Sequence, residues 1–313
     1  MLTFLSRVHA TLGGSRITRR LLRVRWGREL ARAWLRRAVL SGQLSRPDDI
    51  TVLIGVRNRS DYRIVNALRS IRGQTYPAQL VRIVVVDYGS EPTSALLTRE
   101  VCRQHGAEYV RVDDAAVWSR SRCLNVGIRR TGTKYLMTSD VDVVLSPQYL
   151  SDAVQALKIS PLSVICSPML DLPEESAEIF RRSADTGEEL QLDHWKALCS
   201  PRFGAEFHPS LAVTHTALYQ LIRGFDEYYE VWGVEDDDLM RRFRYLGLDP
   251  KTLDSGSFYL HQWHPKFEGV PEGEHAPQIR RNRAHFKENY SVLRNDSNWG
   301  HRGLVDRADH EPG

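Results

Sequence analysis

Asp140 and Asp142 lie within the apolar run YLMTSDVDVVLSP, residues 135–147, with a single valine between them. Residues i and i+2 of a strand share a face, so both carboxylates are expected to project together from the end of a buried strand. Two like charges there repel, and a divalent cation accepting their oxygens removes that penalty. A second acidic group, Glu235, Asp236, Asp237 and Asp238, follows Trp232 and Gly233 in WGVEDDDL. Acids at a helix start are favoured by the macrodipole, which accounts for part of the cluster. The aromatic ring beside it adds a flat apolar platform next to a base, the combination that a sugar ring with a reactive hydroxyl requires. The third group is YLHQWHP, residues 259–265, in which His261 and His264 are metal-ligand types. Positions three apart on an extended strand face opposite sides, so both serve one site only if the chain turns between them. Pro265 keeps His264 out of the helical region, which leaves the choice between the two histidines open.

The elements that must position these groups are legible as alternating runs. TVLIGV (51–56), VRIVVVD (81–87), EYVRV (108–112) and KYLMTSD (134–140) read as strands. Between them, helices are expected over 60–74, capped by Ser60 with Ile64, Val65, Leu68 and Ile71 inward, over 93–105 and over 119–130. Such alternation predicts an α/β fold of parallel βαβ units with helices on both sheet faces. Ligands of open sheets bind beyond the carboxyl ends of the strands. Arg57, Asp87, Asp140 and Asp142 all fall at such ends. Further on, a helix is expected over 148–158, a strand over 164–170 (VICSPML), a long polar excursion over 171–208, a strand over 211–215 and a helix over 216–223. The acidic cluster opens a helix within 224–247, and a last helix over 276–289 precedes a polar tail read as disordered.

The net charge of +4 conceals an asymmetry. Residues 1–46 hold eleven arginines and one acid, a charge of +10, so the remainder carries −6. From 17 to 40, apolar residues including Trp26 and Trp34 recur mostly at helical spacing among arginines, which fits a helix on an anionic membrane surface or one packed on the body or on a second copy. No segment is apolar and long enough to span a bilayer, and arginines interrupt the first apolar patches, unlike a secretory signal. The acidic body and the lack of a recognised binding module argue against nucleic acid as a partner. Cys102, Cys123, Cys166 and Cys199 are widely spaced with no CxxC pair. They read as reduced thiols, consistent with a cytoplasmic protein, peripheral at the inner face of the membrane if the arm binds lipid.

Four motifs in register, VRNR (56–59), SRSRCLNVG (119–127), SDVDVVLSP (139–147) and WGVEDDDL (232–239), resemble those of nucleotide-sugar glycosyltransferases of the GT-A fold. The similarity is greatest to β-1,4-galactosyltransferases and to bacterial family 2 enzymes, including those that polymerise chondroitin, and it covers roughly residues 51–265. It implies a GT-A (Rossmann-like), mostly parallel sheet flanked by helices over 48–265, with a basic helical arm over 1–47 and a C-terminal helix and tail over 266–313. It further implies a metal-dependent, inverting transfer of a hexose from a UDP-sugar to a hydroxyl of a glycan or lipid-linked glycan, with Mn²⁺, or Mg²⁺ in its place, as cofactor. By the same resemblance, Val56, Arg57, Arg59, Asp87, Arg120, Asp140 and Val141 would contact the donor. Asp142 with His261 or His264 would bind the metal. Asp236 would be the base, with Glu235 as runner-up, and Trp232, Gly233, Glu235 and Asp237 would meet the acceptor. Three positions depart from the family pattern: Gly55 for a usual proline, Tyr88 for a frequent second Asp, and Val234 for the second glycine of WGGEDDD.

Two other readings compete. A nucleotidyltransferase would account for the sheet and the paired aspartates but not for WGVEDDDL. A non-catalytic sugar-nucleotide-binding protein would not need all four motifs to retain plausible chemistry.

Overall fold

The structure is a computed structural model that describes residues 25–113, 117–202, 209–253, 256–265 and 273–301, of which 25–28 as backbone alone. Eleven strands form among these residues: β1 (Ile50–Val56), β2 (Val81–Tyr88), β3 (Glu108–Val112), β4 (Tyr135–Asp140), β5 (Val143–Leu145), β6 (Ser163–Ile165), β7 (Met169–Asp171), β8 (Ser200–Pro201), β9 (Val213–His215), β10 (Asp249–Lys251) and β11 (Tyr259–His261). Seven make the main sheet in the order β10-β6-β9-β4-β1-β2-β3, and four make a second sheet in the order β5-β11-β7-β8.

The centre of the main sheet is parallel, β4-β1-β2-β3. β4, β1 and β2 read as largely apolar runs because both faces are covered, whereas β3 is the edge strand. Along β1 and β2, period-2 alternation sends Val52, Ile54, Ile83 and Val85 to one core with Ile64 and Leu68 of helix Tyr62–Arg72. Leu53, Val84 and Val86 go to the opposite core with Leu124 and Ile128 of helix Arg120–Arg130. The register Val56↔Asp87 and Gly55↔Asp140 aligns the carboxyl ends of β2, β1 and β4 on one rim. Two family departures are explained here. A Cβ on Gly55 would lie 2.8 Å from Cys123 Sγ, which leaves no room for a larger residue unless Cys123 moves. Tyr88 is fully buried and meets Trp118 edge to face.

Several sequence expectations need correcting. Helix Tyr62–Arg72 is capped by Asp61, which accepts from Arg63 N, rather than by Ser60. The expected strand over 164–170 is two strands in different sheets, β6 and β7. Pro168 falls between them and offers no N–H to a ladder. β9 runs antiparallel to β4 and β6, within a main sheet that is mostly parallel, as expected. The polar excursion contains helices Ser176–Thr186 and Leu192–Leu198, whose Phe180 and Trp195 share a third core with Leu260 of β11. The polar tail after helix Ala276–Glu288 is not disordered as expected: to residue 301 it packs on the body. Val292 and Trp299 are buried, and Arg129 donates to Trp299 O at 2.6 Å. Residues 302–313 lie outside the described residues.

The arm reading concerns residues of which 1–24 lie outside the described residues. From Arg25 to Leu44 the chain is helical, with a π-helical stretch at Leu35–Leu40. Leu35 and Leu40 enter the main core, and Arg32 donates to Gly247 O at 2.6 Å and to Asp249 at 2.7 Å. This part of the arm packs against the body. Among the described residues no helix is long and apolar enough to cross a membrane. None of the four cysteines is in a disulfide.

Candidate active site

The two aspartates of SDVDVV do not stand side by side on a strand. Asp140 ends β4, a turn occupies 141 and 142, and β5 begins the second sheet at Val143. The carboxylates therefore turn to different partners, which relieves their repulsion.

Asp142 faces the histidines. Antiparallel pairing of β5 with β11 sets His261 opposite Val143, and Gln262 N donates to Asp142 O at 2.8 Å. The buried Gln262 side chain accepts from Asn66 and donates to Arg63 O, which pins the chain where it leaves the strand. His264 then comes back to the same carboxylate. Asp142 Oδ2 lies 3.6 Å from His261 Nε2 and 3.4 Å from His264 Nε2, and the rings are 5.1 Å apart. Sequence spacing left a choice between these histidines; the turn after β11 brings both to Asp142. The three ligand atoms lie within 4.8 Å of one another. Asp142 Oδ1 is buried with no hydrogen-bond partner among the described residues, an uncommon condition for a carboxylate oxygen. One carboxylate and two imidazoles are a donor set that fits a first-row divalent cation. Burial disfavours charge on Asp142, but the two imidazoles outweigh it and hold its pKa well below the usual range. Burial also disfavours protonated His261, yet Asp142 pushes its pKa up to about 9.

Asp140 faces Arg120. The guanidinium donates Nε to Asp140 at 2.7 Å, Nη1 to Asp236 at 2.6 Å and Nη2 to Ser210 O at 3.0 Å. Helix Arg120–Arg130, capped by Ser119, presents this fork from its first turn. One planar cation therefore ties the end of β4 to the start of helix Glu235–Tyr245. Burial pushes Asp236 up to about 8; Arg120 opposes the rise, and Glu235, Asp140 and Asp237 add to it.

The acidic cluster divides by helical geometry. Glu235 is buried and accepts from Gly233 N at 3.0 Å. Burial raises its pKa, and Arg120 opposes this. Asp237 is exposed. Asp238 is fully buried in ion pairs with Arg241 at 2.7 Å, Arg242 at 2.9 Å and Arg294 at 3.0 Å, so its position is that of a structural acid. Val234, preceding the helix, has φ +65°, the left-handed region that a glycine would occupy without strain. Trp232 is 55% exposed. Its loop is held by Asn282, which donates to Glu230 O at 2.8 Å and to Trp232 O at 3.1 Å. Beside this loop, a polar cavity of about 670 Å³ is lined by residues including Arg122, Tyr228, Glu230, Arg281 and His285. It is set apart from the metal-ligand cluster.

At the other end of the rim, Val56 and Val141 are buried, and Arg57 and Arg59 are half-buried after β1. Asp87 is wholly buried and accepts from Ser90 N at 3.0 Å, Tyr109 Oη at 2.6 Å and Arg111 Nη1 at 3.2 Å. Its carboxylate is engaged by the neighbouring strand β3 and by the loop after β2. The loop after β1 is tied to the loop after β2, since Asn58 N donates to Ser90 Oγ at 2.8 Å and Glu91 N to Asn58 Oδ1 at 2.7 Å. Residues missed by sequence reasoning are Asp171 and Arg202, which flank His261. Only the register of the second sheet brings them there.

Residues 51–255 match the family Glycosyltransferase like family 2. The chain belongs to this family. No curated protein matches the chain. Among solved structures, residues 1–349 of TarS from S. aureus in complex with UDP are similar with a TM-score of 0.51 and 18% identity. That similarity covers 69% of this chain and 61% of the TarS chain, less than two thirds of its length. The mannosyltransferase PcManGT from Pyrobaculum calidifontis in complex with GDP-Man and Mn²⁺ gives a TM-score of 0.50 at 19% identity, over 85% of this chain and 71% of the other. The fold is GT-A.

Proposed function

We propose that this family member is a glycosyltransferase that moves a hexose from a UDP-sugar to a hydroxyl of a glycan or lipid-linked glycan, with inversion and with a divalent cation. The observation that carries the reading is the separation of the two rim aspartates: Asp142 to two imidazoles, Asp140 through Arg120 to Asp236. A metal corner and an acceptor-side carboxylate thereby belong to one site.

Asp142, His261 and His264 would hold Mn²⁺, or Mg²⁺ in its place. A cation bound there supplies the charge that neutralises the diphosphate leaving group. Arg57 and Arg59 bind that diphosphate, the Asp87 end of β2 and the Val56 backbone meet the nucleoside, and Val141 and Asp140 border the donor sugar. Asp236 takes the acceptor proton as the acceptor oxygen attacks the anomeric carbon from the face opposite the diphosphate. Arg120 occupies Asp236 Oδ1, and Oδ2 takes the acceptor hydroxyl in this reading. Trp232 offers its exposed ring to the acceptor sugar, Glu235 fixes the neighbouring Gly233, and Asp237 meets the acceptor from its exposed position. The mixed donors and acceptors of the cavity next to Glu230 suit further hydroxyls of a longer acceptor.

The test is a donor screen by nucleotide release, with and without Mn²⁺, against simple glycoside acceptors. The reading expects release from a UDP-sugar that depends on both cation and acceptor. Release from GDP-sugars alone, or release indifferent to cation, would replace the donor or the metal assignment.

A further inference from the structure

We propose that the cavity beside Glu230 is a distal sugar subsite with the Tyr228 ring as its platform, so that the acceptor is a neutral oligosaccharide rather than a single sugar. The inference rests on the acceptor side of the reading above. Tyr228 lines this cavity and is 45% exposed. His285 covers one face of its ring, inclined by only 13° with the ring centroids 3.8 Å apart. The exposed part of Tyr228 is therefore the opposite face and the edge.

One carboxylate fixes both members of this stack. Asp226 Oδ1 accepts from Tyr228 N at 3.0 Å, and its Oδ2 lies 2.8 Å from His285 Nε2. Tyr229 closes the edge of His285, with centroids 5.4 Å apart at 80°. The backbone beyond is tied to the start of helix Arg120–Arg130: Ser119 Oγ donates to Tyr229 O at 2.7 Å, and Val231 N donates to Trp118 O at 2.7 Å. The loop thus carries two exposed rings, Tyr228 and Trp232, on a fixed backbone. They are four residues apart, so the chain holds their Cα atoms within about 14 Å of each other. A rigid aromatic face gives contact area to sugar C–H groups at little entropic cost. Trp232 precedes Asp236 by four residues, so it receives the ring whose hydroxyl reacts, and Tyr228 receives a ring further along the acceptor. The charges of the cavity suit hydroxyls. Arg122 pairs with Glu230 at 3.0 Å, and acids outnumber arginines in the lining, so a phosphate or carboxylate finds no surplus of positive charge there.

The test uses the full chain with Mn²⁺ and UDP. The probes are glucose, galactose and N-acetylglucosamine beside their β-1,4-linked trisaccharides. Hydroxyl-radical footprinting read by mass spectrometry follows Tyr228 and Trp232 separately. At least one trisaccharide is expected to protect both rings, and its monosaccharide to protect Trp232 alone. By calorimetry that trisaccharide should bind about 10-fold tighter than its monosaccharide, a gain lost in Tyr228→Ala and kept in Tyr228→Phe. Melting temperature controls for folding, and should Tyr228→Ala fold poorly, the wild-type footprint decides. Equal affinity for monosaccharide and trisaccharide in every series, an unprotected Tyr228, or an undiminished gain in a well-folded Tyr228→Ala overturns the proposal. Protection of Tyr228 with no saccharide-stimulated nucleotide release from any UDP-sugar would instead overturn the transfer reading on which the acceptor role stands.

Discussion

Arg120 donates to Asp236 across 2.6 Å. The same guanidinium holds Asp140, so the side chain proposed as base is fixed in relation to the donor end of the rim. A lysine cannot reproduce this fork. Arg120→Lys is expected to lower kcat/KM by about 10²-fold, the order of loss that a misplaced catalytic group produces. Steady-state kinetics beside melting temperature check it, and near-normal kinetics would show that Asp236 needs no such anchor.

The pH dependence follows from the same pair. Burial, against the pull of Arg120, pushes Asp236 up to about 8. A general base acts deprotonated, so kcat/KM should fall as pH drops through its pKa. Arg120→Gln removes the opposing cation and favours the protonated carboxyl. The acid limb should therefore move to higher pH in that variant. A limb that stays in place or moves down would dissociate the pH dependence from this carboxylate.

Asp142→Ala is expected to abolish cation-dependent binding of UDP while leaving the fold intact, because the removed oxygen is shared by both imidazoles. Calorimetry with and without Mn²⁺ measures it. Unchanged UDP affinity in Mn²⁺ would remove Asp142 from the site.

The acidic cluster contains one residue whose loss should unfold rather than disable. Asp238→Ala leaves Arg242 buried without its paired carboxylate and Arg294 with only Asp226 among the described residues, 3.7 Å away, and breaking buried pairs of this kind costs about 3–5 kcal/mol. Asp237→Ala, at an exposed position, should stay within about 0.5 kcal/mol of wild type. Denaturant titration of the two variants separates them, and equal stabilities would contradict the division of the cluster.

Val234 holds a left-handed backbone with a β-branched side chain. That conformation costs an L-residue about 1–2 kcal/mol, while glycine gives back about 0.5–1 kcal/mol through its unfolded-state entropy. Val234→Gly should therefore raise stability by roughly 0.5–1 kcal/mol, on the balance of those two effects. A lower denaturation midpoint would mean that the valine side chain contributes more packing than its strain removes.

Much of the main sheet is legible in the sequence because β1, β2 and β4 are runs buried on both faces. Their ends mark a rim, and topology alone puts Arg57, Asp87 and Asp140 along it. What is not legible depends on turns and on contacts between distant segments. The turn after Asp140 decides that the two rim carboxylates part, and the bend after His261 decides that both histidines reach Asp142. Pro168 divides what reads as one strand, and that division creates the second sheet. Asp171 and Arg202 acquire their place beside His261 only from its register. Asp238 resembles its acidic neighbours until Arg294, 56 residues on, is folded against it.

The central claim is that Asp236 is the base of a sugar transfer. The most direct measurement is turnover of Asp236→Asn beside its affinity for the nucleotide-sugar, with Glu235→Gln for comparison. The substitution keeps size and hydrogen bonding to Arg120 but removes most of the basicity. Turnover should fall by about 10²-fold or more, while donor affinity and melting temperature remain close to wild type. Wild-type turnover in Asp236→Asn, or a loss confined to Glu235→Gln, would contradict the assignment.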